Sequence, residues 1–536
     1  MLKRKITSKL IIILVFALLY TSCGLSKSSP STSSADYART APEATMAPDR
    51  SNLKYAEGMV LADENLAVAP TSEFNTEEYN IIDERGFVSP IIEPLSTFSI
   101  DVDTASYANV RRFLMDGRQV PPDAVRIEEM INYFRYNYPK PDGETPFSVY
   151  TEMSECPWNN SKQLLLIGLQ GKEVDISNIP PSNLVFLLDV SGSMQDENKL
   201  PLVKQAFLLL LENLRPSDRI SIVTYAGNES VVLRGVAGDN KIEISNAIQN
   251  LEAGGTTAGA SGIQTAYKIA GENFIEEGNN RVILATDGDF NVGISSEGDL
   301  TRLIEDKRDD GVYLSVLGFG EGNIKDNKME ALADSGNGNY SYIDSILEAK
   351  KVLVEEMGGT LLTIAKDVKL QVEFNPEKVK GYRLVGYENR MLNSEDFNDD
   401  TKDAGEMGAG HRVMALYEIV PAGSSTEVAG SDLKYQQTQA TGSDEWLTIQ
   451  IRYKQPDQNK SQLLSQAVTG NQDNVTTSED FDFASGVAEF ALLLRGSEYK
   501  GNASYEDVYG RIAGLSCVKE DQYKAEFLSM VKMLME

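Results

Sequence analysis

The chain has 536 residues and a formal net charge of −30, with 41% hydrophobic and 24% charged residues. This length exceeds what one ordinary core accommodates, and the composition is that of a globular protein, so we expect about two to four domains. A strongly acidic surface repels phosphate backbones, which argues against a nucleic-acid partner. Apart from Cys23, the chain has two cysteines and one histidine, too few for a disulfide framework or a tetrahedral zinc site of the usual kind.

The first 22 residues have the pattern of a secretory signal. A basic start precedes an apolar run from Leu10 to Tyr20, which is too short to span a bilayer as a stable helix. The run ends in a Thr-Ser-Cys-Gly sequence that resembles the bacterial lipobox, although Tyr20 stands where an aliphatic residue is usual. This resemblance implies that Cys23 is lipidated and becomes the mature N-terminus. We therefore predict a cell-envelope protein, lipid-anchored to a membrane on its extracytoplasmic side; ordinary signal cleavage is the alternative.

Composition and periodicity divide most of the remaining chain into regions. Residues 23–94 are rich in Ser, Ala, Thr and Pro and are predicted to form a flexible tether. Residues 95–182 show a helical and then a strand-like pattern, residues 361–480 are rich in strands, and residues 481–536 are helical. Within residues 361–480, polar loops are predicted at 391–410, 422–443 and 455–480.

Residues 183–360 alternate between strand-like and helical patterns. Leu184 to Leu188 form a continuous apolar run, which is typical of a parallel strand covered on both faces. Further strands are predicted at 219–225, 281–285, 312–317 and 340–343, and further helices at 242–251, 261–275, 300–307 and 346–357. This alternation predicts an α/β fold with a doubly wound, mostly parallel sheet and helices on both faces.

The strands on either side of the α/β segment leave two arrangements open. Residues 146–175 and 365–455 form one β-sandwich if the α/β domain is inserted into it, and insertion is tolerated because domain termini often lie close together. In the other arrangement, three separate domains follow one another along the chain.

Oxygen-bearing side chains follow the first strand of the α/β segment. Ligands of doubly wound sheets bind beyond the carboxyl ends of the strands. Asp189, Ser191 and Ser193 alternate along an extended loop, so they point the same way, and Gly192 supplies backbone freedom for a tight turn. Ligand sets made only of oxygen favour hard cations over zinc or copper. The alternative is that both serines are ordinary turn residues that cap the next helix.

The Asp-x-Ser-x-Ser sequence after an apolar strand resembles the metal-ion-dependent adhesion site of von Willebrand factor type A (VWA) domains. That family adds a threonine from a second loop and an aspartate after a later strand, and these match Thr257 and Asp287. The resemblance implies direct coordination of Mg²⁺, or otherwise Mn²⁺ or Ca²⁺, by Ser191 and Ser193. It also implies that Thr257 joins when a ligand is bound and that both aspartates act largely through water.

Such a site has a functional consequence. Two carboxylates and three neutral hydroxyls leave the cation with residual positive charge and an open position, which an exposed Asp or Glu of a partner protein completes. We therefore expect a protein-binding function and no catalysis. In the first alternative the sixth ligand is internal, and the metal only stabilises a structural or envelope-assembly protein.

The resemblance extends to the flanking regions. Residues 97–107, 410–413 and 481–494 are similar to those of a family of bacterial lipoproteins that carry this domain, so the similarity covers most of residues 95–536. This similarity assigns no function to the flanking regions.

Other motifs support weaker hypotheses. Asp101 and Asp103 resemble the paired aspartates of haloacid-dehalogenase phosphatases, but Ala105 stands where Thr or Val is usual; a phosphatase that uses the Asp101 region is the second alternative. The segment from Asp396 begins like a calcium loop but lacks the glycine and the final glutamate. His411 would have to serve any Ser-His-Asp arrangement, but the sequence has no nucleophile elbow, so we expect His411 to be structural.

Overall fold

The computed structural model describes residues 76–100, 103–175, 179–226, 228–255, 260–288, 297–402, 404–429, 442–470 and 476–535. Within these ranges, no helix has both the length and the apolar character needed to cross a membrane. The predicted signal, the anchor at Cys23, Asp101 and Thr257 lie outside the described residues.

Numbered in chain order, the strands are β1 (Leu95–Ser99), β2 (Phe147–Glu155), β3 (Gln163–Gly171), β4 (Ser182–Asp189), β5 (Arg219–Ala226), β6 (Asn228–Ala237), β7 (Asn279–Thr286), β8 (Val312–Phe319), β9 (Tyr340–Ile343), β10 (Thr363–Phe374), β11 (Val379–Val385), β12 (Gly405–Gly408), β13 (Arg412–Pro421), β14 (Glu445–Lys454) and β15 (Gln462–Thr469). The helices are α1 (Ala105–Met115), α2 (Ile127–Asn132), α3 (Leu200–Asn213), α4 (Lys241–Gln249), α5 (Ala260–Glu272), α6 (Glu297–Asp309), α7 (Asp326–Ser335), α8 (Ile346–Lys350), α9 (Met357–Leu361), α10 (Glu479–Arg495), α11 (Tyr505–Ile512), α12 (Ser516–Glu520) and α13 (Gln522–Met533).

A six-stranded sheet with the order β6-β5-β4-β7-β8-β9 forms the α/β domain. Its neighbouring strands are parallel except for the β5–β6 pair at one edge. Every residue of β4 is buried, as expected of a strand covered on both faces. Helices α3 and α4 contribute to the core on one face of the sheet, and α5, α6 and α7 contribute to the core on the other. The predicted α/β fold with helices on both faces is confirmed.

Two antiparallel sheets form a β-sandwich. One has the order β2-β3-β13-β11, and the other has the order β1-β10-β14-β15 with β12 also paired to β10. Side chains of both sheets share one core, in which Ile167 and Tyr417 of the first sheet join Leu370 and Ile449 of the second. Because β2 and β3 precede the α/β domain while β11 and β13 follow it, the α/β domain is inserted into the sandwich. This is one of the two predicted arrangements.

A third core joins helices from both ends of the described chain. Val110 of α1 and Met130 of α2 belong to the same cluster of buried side chains as Phe490 of α10 and Phe527 of α13. Leu416 of β13 also belongs to this cluster, so the helices cover the outer face of the first sandwich sheet. The predicted helical character of the C-terminal region is confirmed.

The predictions were wrong at several polar segments. The predicted loop at 455–480 contains β15, and the predicted loop at 391–410 contains β12. Strand β15 lies at a sheet edge and its side chains are mostly exposed, so it lacks the alternation of apolar and polar residues that identifies a half-buried strand. The predicted helix at 346–357 is interrupted, because a π-helical turn at Lys351–Glu355 lies between α8 and α9.

Candidate metal centre

The first group of predicted ligands lies in the loop after β4. The strand ends at Asp189, and a 3-10 turn follows at Gly192–Gln195. The Asp189 Oδ1 atom accepts a hydrogen bond from the Ser191 backbone N–H at 2.8 Å, and the Ser191 and Ser193 hydroxyl oxygens lie 2.9 Å apart. Asp189 and Ser191 are buried, whereas Ser193 is exposed. The loop thus brings three oxygen-bearing side chains together at the carboxyl end of β4.

Asp287 reaches the same edge from the neighbouring strand. Strands β4 and β7 are parallel with Leu188 opposite Ala285, so Asp287 follows β7 beside the end of β4. The Thr286 hydroxyl lies 3.5 Å from Asp189 Oδ2. Asp287 is 1% exposed, and its Oδ1 atom has no hydrogen-bond partner among the described residues. Because a buried carboxylate oxygen without a donor is costly, this atom is the open acceptor of the site.

A lysine absent from the predicted ligand set contacts the other oxygen of Asp287. The Lys199 Nζ donates to Asp287 Oδ2 at 3.1 Å and to the Ser193 backbone carbonyl at 3.0 Å. Lys199 is buried immediately before α3. Its ammonium neutralises one of the two carboxylates and ties the serine loop to the end of β7. The sequence gives little indication that Lys199 contacts Asp287, because lysine is almost always an exposed residue.

The surroundings of Asp189 disfavour its ionisation. Burial raises the pKa of Asp189 and the negative charge of Asp287 adds to this rise, while hydrogen bonds from Ser191 oppose it. Tyr225 lies opposite Asp189 in the β4–β5 register, and burial followed by the charge of Asp189 raises the pKa of Tyr225 well above its usual range. Sequence reasoning did not identify Tyr225. A positive charge placed between the two carboxylates would favour their ionised forms.

The loop that carries Thr257 is described only as far as Gly255. The Gly254 N–H donates to the Val190 carbonyl at 2.8 Å, and the Gly192 N–H donates to the Gly255 carbonyl at 3.2 Å. Gly255 has a φ of +96°, a left-handed conformation that favours glycine. These bonds join the loop before α5 to the loop after β4. The contribution of Thr257 itself stays a prediction.

The oxygen-bearing side chains described at this site fit a hard divalent cation. No group of three or more His, Cys, Asp and Glu side chains able to hold a metal occurs in the described part of the chain. A cation here would therefore use the hydroxyls of Ser191 and Ser193 together with Asp189 and Asp287. Oxygen ligands of this kind suit Mg²⁺ or Mn²⁺, and the open Oδ1 atom of Asp287 is the natural contact for such an ion or for its water.

Two motifs outside this site have local structural surroundings. Asp396 forms a reciprocal capping box with Asn393 at the start of a 3-10 turn. Lys369 Nζ donates to the Asp396 backbone carbonyl at 3.1 Å, so the segment that begins like a calcium loop is a capped turn. His411 lies between β12 and β13, and burial lowers the pKa of its imidazole. Its ring is therefore neutral at neutral pH.

Family models match three successive parts of the chain. The model described as "von Willebrand factor" matches residues 73–166, and "von Willebrand factor type A domain" matches residues 183–355. The model described as "Uncharacterized protein YfbK, C-terminal" matches residues 359–536. Together these matches include the α/β domain and most of both flanking regions.

Relatives share this organisation to different extents. The Escherichia coli (strain K12) protein described as "Uncharacterized protein YfbK" is 41% identical over 469 residues, which cover 85% of this chain and 81% of that protein. The Synechocystis sp. protein described as "Uncharacterized protein sll0103" is 31% identical over 211 residues, which cover 38% of this chain and 48% of that protein. A solved structure described as "von Willebrand factor type A from Catenulispora acidiphila" covers 68% of this chain and 89% of its own, with 15% identity and a TM-score of 0.39. On the similarity to the first of these relatives, the chain belongs to the YfbK family of bacterial proteins that carry a VWA domain.

Proposed function

We propose that this chain binds a protein partner through one divalent cation and that a carboxylate of the partner completes the coordination. The proposed ligands are Asp189, Ser191, Ser193, Thr257 and Asp287. Mg²⁺ is the proposed cation, with Mn²⁺ or Ca²⁺ as alternatives. The proposal includes a lipid anchor at Cys23, a location in the cell envelope and no catalytic reaction. The presence of a VWA domain supports a role in protein interaction.

The proposal rests on the different contacts of the two carboxylate oxygens of Asp287. Lys199 neutralises Oδ2, while Oδ1 is buried without a hydrogen-bond partner among the described residues. With Lys199 in place, two carboxylates and a divalent cation leave a net positive charge at the site. This charge would attract an acidic side chain of a partner, and the exposed Ser193 lies on the side from which a partner can approach.

Two linked measurements test the proposal. Calorimetric titration of Mg²⁺ or Mn²⁺ into the purified chain should show one binding site that Asp189→Ala removes. Asp239→Ala is the matched control, because Asp239 is an exposed aspartate of the same domain with no part in the site. Capture of a partner from envelope extract should require the cation and should fail with Asp189→Ala. Equal capture in metal-free buffer would refute partner binding through the cation.

The structural alternative has its own supporting observation. Buried ion pairs tie the α/β domain to the helices that precede it: Arg111 Nη2 lies 2.7 Å from Glu348 Oε2, and Arg126 Nη1 lies 2.5 Å from Asp326 Oδ2. These contacts need no metal. If the protein is a structural or envelope-assembly component, removing the cation leaves partner capture unchanged, which is the opposite of the capture result expected above. Its thermal stability falls, as it does for any protein that loses a bound ion.

The phosphatase alternative depends on the segment around Asp101, which lies outside the described residues. Asp103, the second aspartate of the motif, is buried and has both oxygens engaged. Its Oδ1 accepts from the Tyr340 N–H at 2.8 Å, and its Oδ2 accepts from Arg390 Nη2 at 3.2 Å. An acid-base residue must exchange protons with a substrate, and these contacts favour a structural role for Asp103. Phosphatase activity lost in Asp101→Asn would favour this alternative.

A further inference from the structure

A cavity of about 390 Å³ lies between the α/β domain and the β-sandwich. Its wall includes Arg281 of β7, Ser315 of β8 and Arg412 of β13. Arg281 lies near the amino end of β7, whereas Asp287 follows its carboxyl end. At ~3.3 Å per residue, the cavity is roughly 15–20 Å from the candidate metal centre along the strand. Natural small-molecule pockets have volumes of roughly 300–1,000 Å³.

Arg281 is a buried guanidinium with most of its donors unused. Its Nη1 donates to the Ser315 hydroxyl at 2.7 Å and its Nη2 donates to the Thr360 carbonyl at 3.0 Å. Its Nε has no hydrogen-bond partner, and no acidic side chain in the described ranges forms an ion pair with it. Burial lowers the pKa of Arg281 to about 10, and its electrostatic interactions with Tyr313 and Glu406 offset this effect only in part. Burying a charge without an opposite charge in direct contact is costly, so an anion in the cavity would stabilise this arrangement.

The acidic residues of the wall form their ion pairs and hydrogen bonds with other groups, although the charge of Glu406 also acts on Arg281. Asp103 and Asp334 pair with Arg390, Glu355 pairs with Lys350, Glu356 pairs with Lys351, and Glu406 accepts a hydrogen bond from Asn337.

A second cation of the wall, Arg412 on strand β13, adds to the positive charge of the cavity. The nearest carboxylate to Arg412 is that of the exposed Glu173, 3.7 Å from its Nη2, and the Arg412 Nε has no hydrogen-bond partner among the described residues. Burial, followed by the positive charge of Arg135, lowers the pKa of Arg412. Arg135 is exposed and also lines the cavity, so the cavity communicates with the surface.

We propose that this cavity binds a small molecule through a carboxylate or phosphate group, with Arg281 as the principal contact and Arg412 as the second. A planar guanidinium with adjacent free N–H groups matches such an oxyanion in a two-point hydrogen bond. The neutral His411 ring, which also lines the cavity, can donate a hydrogen bond without repelling the arginines. This ligand site is independent of the proposed cation site, because the two sites share no residue.

Calorimetric titration of inorganic phosphate and of succinate into the purified full-length chain tests the proposal. Divalent cations are removed beforehand, and NaCl keeps the ionic strength constant. At least one probe should bind in a saturable manner to one site per chain. Arg281→Met should weaken this binding about tenfold or more, the loss expected when a charge-assisted hydrogen bond is removed. Lack of saturable binding of both probes overturns the proposal, and so does undiminished binding to Arg281→Met.

Two further variants keep the test decisive. Arg302→Met removes an exposed arginine of α6 that pairs with Asp299, and it should leave binding unchanged. Arg412→Gln leaves the contacts of Arg281 to Ser315 and Thr360 in place and should also weaken binding. If Arg281→Met does not fold, Arg412→Gln decides: weaker phosphate or succinate binding supports the proposal, and unchanged binding overturns it.

Discussion

Replacing Lys199 with methionine tests how the candidate metal centre balances its charges. The Lys199 Nζ lies 3.1 Å from Asp287 Oδ2, and the two side chains are 8% and 0% exposed. Asp189 adds a second buried carboxylate whose charge interacts with that of Asp287. Methionine keeps the apolar length of the side chain and removes the ammonium. Removing one partner of a buried ion pair costs about 3–5 kcal/mol, because the other charge is left uncompensated.

For a domain of this size, such a loss lowers the melting temperature by about 6–20 °C. Thermal unfolding followed by circular dichroism, first in metal-free buffer and then with saturating Mg²⁺, measures it. A divalent cation supplies the positive charge that methionine lacks, so Mg²⁺ should stabilise Lys199→Met more than the wild type. The double variant Lys199→Met, Asp287→Asn removes both charges and should recover most of the loss.

The control for this experiment is Lys204→Met, because Lys204 lies on α3 and its ammonium donates a hydrogen bond to the Gln249 backbone carbonyl, away from the metal centre. It should leave both melting temperatures nearly unchanged. An equal loss of stability for Lys199→Met with and without Mg²⁺ would show that the lysine and the cation do not act on the same carboxylates. That result would refute the reasoning.

Three further predictions follow from buried charges. Metal affinity should fall as the pH is lowered through the raised pKa of Asp189, because a cation binds the carboxylate and not the acid; a pH-independent affinity in calorimetric titrations contradicts this. Burial, followed by neighbouring acidic charges, raises the pKa of Glu128 from 4.5 to about 7. The folded state therefore holds this proton more tightly than the unfolded state, so the free energy of unfolding falls as the pH rises between these two values. Glu128→Gln should flatten this part of the plot of unfolding free energy against pH, measured by urea denaturation. An unchanged slope would argue against this assignment. Arg383→Met leaves the buried Glu418 carboxylate without its 2.6 Å partner, although Lys162 remains 3.5 Å away. Urea denaturation of Arg383→Met should show that the free energy of unfolding falls by an amount near the lower end of about 3–5 kcal/mol. A decrease below about 0.5 kcal/mol would contradict this prediction.

The sequence predicted the α/β domain best where burial is uniform. The apolar run from Leu184 to Leu188 lies within β4, and the predicted strand at 340–343 has the bounds of β9. Strands β6 and β15 were not predicted. Both lie at sheet edges, where one side has no neighbouring strand and side chains are mixed in character, so hydrophobic periodicity does not identify them.

The candidate metal centre was predictable in its local part. Asp189, Ser191 and Ser193 are neighbours along one loop, so their approach depends on a short stretch of backbone. Asp287 was predicted from the family resemblance, and the structure places it beside β4. Lys199 and Tyr225 carry no motif, and their contacts with the two aspartates depend on the packing of α3 against the sheet and on the pairing of β5 with β4.

By itself, the sequence determined the alternation of strands and helices in the α/β domain and the three oxygen-bearing side chains of its first loop, because both depend on residues close together along the chain. The tertiary structure decided the insertion into the β-sandwich, since β3 and β13 pair across the whole α/β domain. It also decided the charge balance of Asp287 and the cavity around Arg281. These features arise where distant segments meet, and the energy of a buried charge depends on the groups that surround it in space.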